Sequence, residues 1–243
     1  RYRWIRRRNL RRSAGSRARP NQRGHRRRRR RLPELLHLRH PYYVSGEVTH
    51  WSNLAHRTAA DLAATGMTVH TDTRATAIDT AGHRLTVTGP DGVSRDLDYD
   101  ALIVGTGAVS VRPPITGLEK LGPDDGVHLL HSMGDTFAVM NTLTTTDPKT
   151  AIIIGAGYIG LEMAEGLTTR GLAVTQIEAL PEVLPTVEPE LGTLVHNELV
   201  RNRVDVRTNT LVTAIDRADN GDLTVTTASD GHTDHLTADL VLV

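Results

Sequence analysis

Two kinds of apolar spacing alternate along the second half of the chain. Strand-like segments stand at Ala101–Gly105, Ala151–Ile154, Leu172–Ile177 and Asp239–Val243, and the apolar runs in the first, second and fourth have the length and lack of alternation of strands buried on both faces. Between the second and third, Ile159, Met163, Ala164 and Leu167 fall on one face at the helical period, and Gly171 marks the stop. Further helices are expected from Asn53 to about Thr65, with Ser52 as cap and Gly66 as stop, and from Gly134 to about Thr146. Pro181, Pro185 and Pro189 punctuate a loop before a helix at about Glu190–Arg201.

The pattern repeats. VHTDTRATAID at Val69–Asp79 returns as VRTNTLVTAID at Val206–Asp216. Each copy leads into an alternating strand (RLTVTG, DLTVTT) and a hairpin signal, Asp91-Gly92 or Asp230-Gly231. Each then closes on an apolar run, ALIVG or DLVLV. One order of elements used twice implies a duplicated module.

The second copy shows how such a module begins. Ala151–Ile154 runs directly into Gly155-Ala-Gly157-Tyr158-Ile159-Gly160, a helix follows, and a second strand ends at Glu178, eighteen residues after Gly160. In this spacing Gly155 serves the tight turn, Gly157 admits a pyrophosphate to the backbone, and Gly160 lets helix and strand approach. Free amides at the helix start, with Tyr158 and Ile159 among them, bind phosphate. Glu178 is placed to accept hydrogen bonds from a ribose diol, and would repel a 2′-phosphate. Ala179, Leu180 and Pro181 offer no cation to compensate, so NADH is favoured over NADPH.

Charge divides the chain. Residues 1–40 hold seventeen of the 29 basic side chains, all arginine, against the single acid Glu34, a net +16. The remainder carries twelve basic and 27 acidic groups, a net −15 that repels a phosphate backbone. The absence of cysteine excludes a disulfide scaffold, a thiolate metal site and a protein thiol nucleophile in these 243 residues. No apolar run reaches the roughly 20 residues of a membrane helix, and the expected location is cytoplasmic. His232 and His235 have a metal-like spacing but fall in an expected hairpin, so no metal site is assigned.

PYYVSGEV (Pro41–Val48), YDALIVGTGAVSVRPPITGLE (Tyr99–Glu119) and the Gly155–Glu178 unit, in that order, resemble the FAD-dependent pyridine nucleotide–disulfide oxidoreductases, in particular the coenzyme A disulfide reductase and NADH oxidase branch. The resemblance covers about residues 41–243. It implies FAD and NAD(P)H as cofactors, hydride transfer from the nicotinamide to the flavin and onward to a disulfide or oxygen, and a homodimer in the full-length family. By position, Thr106 and Gly107 match the turn where the chain leaves the FAD domain, Ala75 a backbone contact to the FAD adenine, and Glu162 an acid near the meeting point of nicotinamide and flavin. Taken alone, Glu162 reads equally as a solvated acid in the first helical turn. Gly105 and Ser110 stand where the family commonly has Ala and Pro.

The resulting expectation is an α/β chain: an Arg-rich segment at 1–40, a partial, incomplete FAD-binding Rossmann-like domain at 41–114, and a Rossmann-like NAD(P)-binding domain with a three-stranded β-meander at 115–243, cut short at its end. Duplication asks the first 40 residues for a strand, a glycine turn and a second strand, and the family places a redox cysteine before PYY. Arginine stands there instead. Because most arginine codons are CGN, reading one nucleotide later yields Val, Ala, Asp or Gly codons, and the same shift can restore the glycine turn and the cysteine. Residues before about 40 are therefore expected to show little order and few contacts with the body, and no catalytic residue is assigned. Two other readings stand beside the oxidoreductase: an NAD-binding module without flavin chemistry, and a nucleic-acid-binding protein acting through the arginines, which lack the aromatic platform that stacking on bases needs.

Overall fold

In a computed structural model of the chain, the described residues are Tyr2–Arg6, His25–Arg28, Glu34–Leu35 and His40–Val243. The elements of the first half are β1 (Tyr2–Arg6), β2 (His25–Arg28), β3 (Glu34–Leu35), α1 (His40–Ser45), β4 (Ala55–Arg57), α2 (Ala59–Ala64), β5 (Thr68–Thr71), β6 (Arg74–Asp79), β7 (Arg84–Thr88), β8 (Ser94–Asp98) and β9 (Ala101–Gly105). Those of the second half are β10 (Val127–His128), α3 (Met133–Thr145), β11 (Thr150–Ile154), α4 (Tyr158–Thr169), β12 (Ala173–Ile177), α5 (Pro189–Arg201), β13 (Asp205–Arg207), β14 (Leu211–Arg217), β15 (Leu223–Ser229), β16 (His232–Ala238) and β17 (Leu240–Leu242). They form two units, one drawn from 1–35 and 55–109, the other from 36–54 and 110–243.

The larger unit is built on a five-stranded sheet in the order β10-β17-β11-β12-β13, every neighbouring pair parallel. Its unbroken apolar runs follow from what lies on each face. Ala151 and Ile153 of β11 point into a core shared with Met163, Ala164 and Leu167 of α4, while Ile152 faces the opposite way, into a core with Ile215 and Val225 of the antiparallel meander β14-β15-β16. A strand covered on both sides has no solvent position for a polar residue, and each buried isoleucine contributes about 1.5–3 kcal/mol. The Asp230-Gly231 signal makes the β15–β16 turn with both residues at positive φ, the geometry of a type I′ hairpin.

The segment around PYY belongs to this unit. Val44 of α1 is fully buried in the core of the α4 face, and the Arg170 guanidinium donates to the Val44 carbonyl. Gly166 allows the approach: a Cβ there would meet the Pro41 carbonyl at 3.4 Å. Residues 41–54 were expected with the FAD-like domain, and their packing on α4 assigns them instead to the larger unit.

The smaller unit carries its own meander, β6-β7-β8, over a small core in which Leu85 and Val87 pack with Ala75, Leu97, Tyr99 and Leu102. Three expectations are corrected here. The helix from Asn53 is shorter and begins later, because Thr58 and Asp61 form a capping box that starts α2, and the Ser52 hydroxyl is engaged by His50 Nδ1 at 2.7 Å. The described segments before residue 40 are not without contacts: β2 runs parallel to β5, β1 antiparallel to β9, and β3 antiparallel to β4. Ladder hydrogen bonds use only backbone groups, so arginine can complete them as any residue but proline can. Finally, ALIVG is not a buried strand. Ile103 and Val104 are more than half exposed, whereas its counterpart β17 is wholly buried.

Candidate functional site

The crevice at the carboxyl ends of the parallel strands β11 and β12 is closed on one side by the turn into α4. Gly155 sits at φ +101°, where a side chain is strained, and turns β11 away from the sheet. Gly157 caps α4 with open space where its Cβ would be, so a ligand can approach the backbone. At Gly160 the same construction ends 2.2 Å from the Gly155 carbonyl oxygen, and only glycine allows the helix so near. The turn is held from below by the fully buried Gln176, whose Nε2 donates to the Gly155 carbonyl at 3.2 Å.

Glu178 follows β12 and is buried, with both carboxylate oxygens engaged. Oε2 accepts from the Ala156 amide at 2.7 Å and Oε1 from the Leu180 amide at 3.0 Å. Each oxygen retains a lone pair, so the group is fixed in place while keeping the capacity to accept from a diol. Clefts lie to either side of the glycine turn. One of about 560 Å³ is lined by Glu178, Ala179, Thr210 and Pro113. The other, of about 420 Å³, is lined by Gly157, Tyr158, Ile159, Gly160 and Met163. Ile154, Gly155 and Val243 border both. Tyr158 and Ile159 are exposed at the helix start, where they line the smaller of the two clefts. The residues present fit a dinucleotide: a phosphate position over free amides, with an acid on one side and an apolar pocket on the other.

Glu162 lies in the second turn of α4, not the first, and is half-buried. Its Oε2 is buried without a hydrogen-bond partner among the described residues. Burial, with the neighbouring Glu165 carboxylate, raises the Glu162 carboxyl above the usual glutamate range. The other expected contacts are in the smaller unit. Thr106 and Gly107 follow β9, with Gly107 at φ +68°, and Ala75 pairs with Val87 across the meander. The structure thus brings Gly155, Gly157, Tyr158, Ile159, Gly160, Glu162 and Glu178 into one unit, and leaves Ala75, Thr106 and Gly107 outside it.

The sequence places a loop after Glu178 but does not show its attachment to the glycine turn. Leu184, at φ +52°, donates its amide to the Ala156 carbonyl at 2.8 Å, binding the loop to the glycine turn. Backbone contacts of this kind leave no residue-type signal. Sequence reasoning missed Gln176, which lies beside Thr175 in an otherwise apolar strand.

Comparison with known proteins agrees with this architecture. The pyridine nucleotide-disulphide oxidoreductase profile matches residues 23–243, beginning within the arginine-rich stretch rather than at residue 41. An NADH oxidase of Methanocaldococcus jannaschii is 30% identical over 168 residues, 68% of this chain and 37% of that protein. A coenzyme A disulfide reductase of Staphylococcus haemolyticus is 31% identical over 49% of this chain and 26% of its own length. Among solved structures, an NAD-dependent persulfide reductase from A. fulgidus superposes with a TM-score of 0.78 at 31% identity, over 89% of this chain and 39% of that one. The chain therefore spans about a third of the length of such relatives. The glycine turn, the acid after β12 and a match over more than nine-tenths of the sequence lead to one conclusion: the chain belongs to the pyridine nucleotide-disulphide oxidoreductase family.

Proposed function

We propose that the larger unit binds NADH in preference to NADPH, and that the whole protein is a cytoplasmic, homodimeric FAD-dependent oxidoreductase that sends hydride from NADH to the flavin and on to a disulfide or oxygen. The observation that carries the NADH reading is Glu178, fixed by the Ala156 and Leu180 amides at the edge of the crevice. A 2′-phosphate there would face a buried carboxylate of like charge, with no lysine or arginine at 179–181.

In this reading the amides at the start of α4 hold the pyrophosphate, Glu178 orients the adenosine ribose, and Tyr158 and Ile159 shield the nicotinamide side from water. Glu162, whose carboxyl burial raises above the usual glutamate range, sits one turn further along the same helix. The flavin, when bound, supplies the two-electron acceptor.

One observation favours a second reading for the chain as it stands, a dinucleotide module without flavin. In the smaller unit β1 runs antiparallel to β9, whereas its counterpart β11 runs parallel to β17. A dinucleotide crevice needs the carboxyl ends of adjacent parallel strands at one edge. Among the described residues of that unit the parallel pair is β2 with β5, and β1 does not share that arrangement with β9; with no cysteine in the chain the disulfide step has no protein thiolate. Calorimetric titration with NADH, with NADPH and with FAD, beside a DNA-binding assay, separates the readings. Tight NADH binding with weak NADPH binding supports the proposal. DNA binding without NADH binding overturns it.

A further inference from the structure

The loop between Glu178 and α5 is clamped by side chains that touch no part of the crevice. Glu182 Oε1 pairs with His196 Nδ1 at 2.8 Å and accepts from the Val183 amide at 2.8 Å, and its Oε2 accepts from Thr193 Oγ1 at 3.1 Å. His196 and Thr193 both stand on α5, on the side that faces the loop. The fit is close: a Cβ at Gly192 would lie 2.7 Å from both Glu182 Cγ and the Val183 carbonyl oxygen. Val183 itself is buried in the core of the α4 face.

On either side of this clamp the loop backbone reaches the crevice. Leu180 donates to Glu178 Oε1 and Leu184 to the Ala156 carbonyl, while Asn209 donates to the Leu180 carbonyl at 3.0 Å. Leu184 holds a positive φ, which a branched side chain adopts only when its surroundings impose it. Something must hold this stretch, and the groups that do are Glu182, Thr193 and His196. Burial alone would raise the Glu182 carboxyl, yet the bonds from Val183, His196 and Thr193 outweigh it and leave the group below its usual range. The carboxylate is thus engaged in its ionised form.

We propose that Glu182, with His196 and Thr193, is a positioning device for the adenosine half of the dinucleotide: the clamp sets Leu180 and Leu184, and through them the Glu178 carboxylate and the glycine turn. The proposal rests on the reading of the crevice as a dinucleotide site. It makes affinity for the adenosine end depend on residues that never touch it.

The test uses two probes that divide the dinucleotide, ADP-ribose and reduced nicotinamide mononucleotide, titrated calorimetrically into the full chain. Glu182→Ala and His196→Ala are expected to raise the Kd for ADP-ribose about tenfold, the loss of one charged hydrogen bond. Binding of the mononucleotide stays as in wild type, because a general loosening of the fold would weaken both. Glu182→Gln recovers most of the affinity: its one carbonyl oxygen still accepts from the Val183 amide, and its NH2 donates to Thr193 Oγ1 while that hydroxyl donates to the Pro189 carbonyl. If Glu182→Ala unfolds by circular dichroism, His196→Ala decides, since it leaves Glu182 bonded to Val183 and Thr193. ADP-ribose binding unchanged in His196→Ala, or both probes weakened equally, overturns the clamp. A wild-type chain that fails to bind ADP-ribose overturns the dinucleotide site itself, a distinct result.

Discussion

The Gly160 methylene faces the Gly155 carbonyl so closely that a Cβ would lie 2.2 Å from its oxygen, while Gly157, three residues earlier, faces open space. The two glycines therefore separate packing from ligand approach. Gly160→Ala must push α4 from β11 and is expected to lower stability by about 1–3 kcal/mol, as overpacking does. Gly157→Ala, at a φ of −77° that alanine accepts but at the helix N-cap, where glycine is the better residue, should lower stability by no more than about 1 kcal/mol and yet abolish tight NADH binding. Urea denaturation and NADH titration of both variants check the pair. Equal loss of stability in the two would contradict it.

Glu178 carries two roles that one substitution exposes. Glu178→Ala leaves the Ala156 amide without its acceptor inside the protein, at a cost of about 1–3 kcal/mol, and removes the proposed ribose contact. Combined with Ala179→Arg, which brings a guanidinium to the lining of the larger cleft, the change should reverse the preference from NADH to NADPH. The ratio of the two dissociation constants is the readout. An unaltered ratio would place the ribose elsewhere.

His128 gives the larger unit an acid limit. On edge strand β10 its ring is 1% exposed, with Nε2 on Thr142 Oγ1 at 3.0 Å and Nδ1 unpartnered among the described residues. Burial lowers its pKa from 6.5 to about 4, opposed in part by the Asp135 charge. The unfolded chain thus takes up the proton at higher pH than the folded one. Its contribution is whole above pH 6.5 and is lost as pH falls through about 4, amounting to about 3 kcal/mol. Denaturant midpoints measured from pH 7 to pH 4 should fall accordingly, and His128→Gln, which gains no proton, should flatten that slope.

The purified chain is expected to be colourless yet to bind NADH, since the turn, helix and acid that hold the nucleotide are local to the larger unit. NADH should protect residues 150–178 from proteolysis. A visible flavin spectrum that survives gel filtration would show that the smaller unit holds FAD despite the direction of β1.

Much of the larger unit was legible because its determinants are local. The apolar run of β11, the glycine spacing and Glu178 lie within thirty residues, and each has a physical reason that residue type alone conveys. The repeat at Val69 and Val206 announced two meanders, and both are present. What was not legible depends on backbone or on partners. The arginines of β2 read as charge, because the hydrogen bonds they share with Thr68–Thr71 carry no side-chain signature. ALIVG read as buried because its composition matches β17, and nothing in five residues says which neighbours will cover it. Thr58 displaced Ser52 as a cap because only Thr58 has an acid three residues on to complete the box.

Strand β17 lies between β10 and β11 in the sheet, so two neighbours separated from it by about ninety residues or more depend on it for their hydrogen bonds. Asp239, just before it, accepts from the Lys149 and Thr150 amides and from the Thr150 hydroxyl, tying the two strand starts together. During synthesis the glycine turn, its helix and Glu178 therefore emerge long before the strand that completes the sheet beneath them. Pairings of such sequence separation form slowly. Ile152 and Ile153 are therefore synthesised well before the residues of β17 that pack with them, and the crevice at the strand ends is complete only once β17 has paired with β10 and β11.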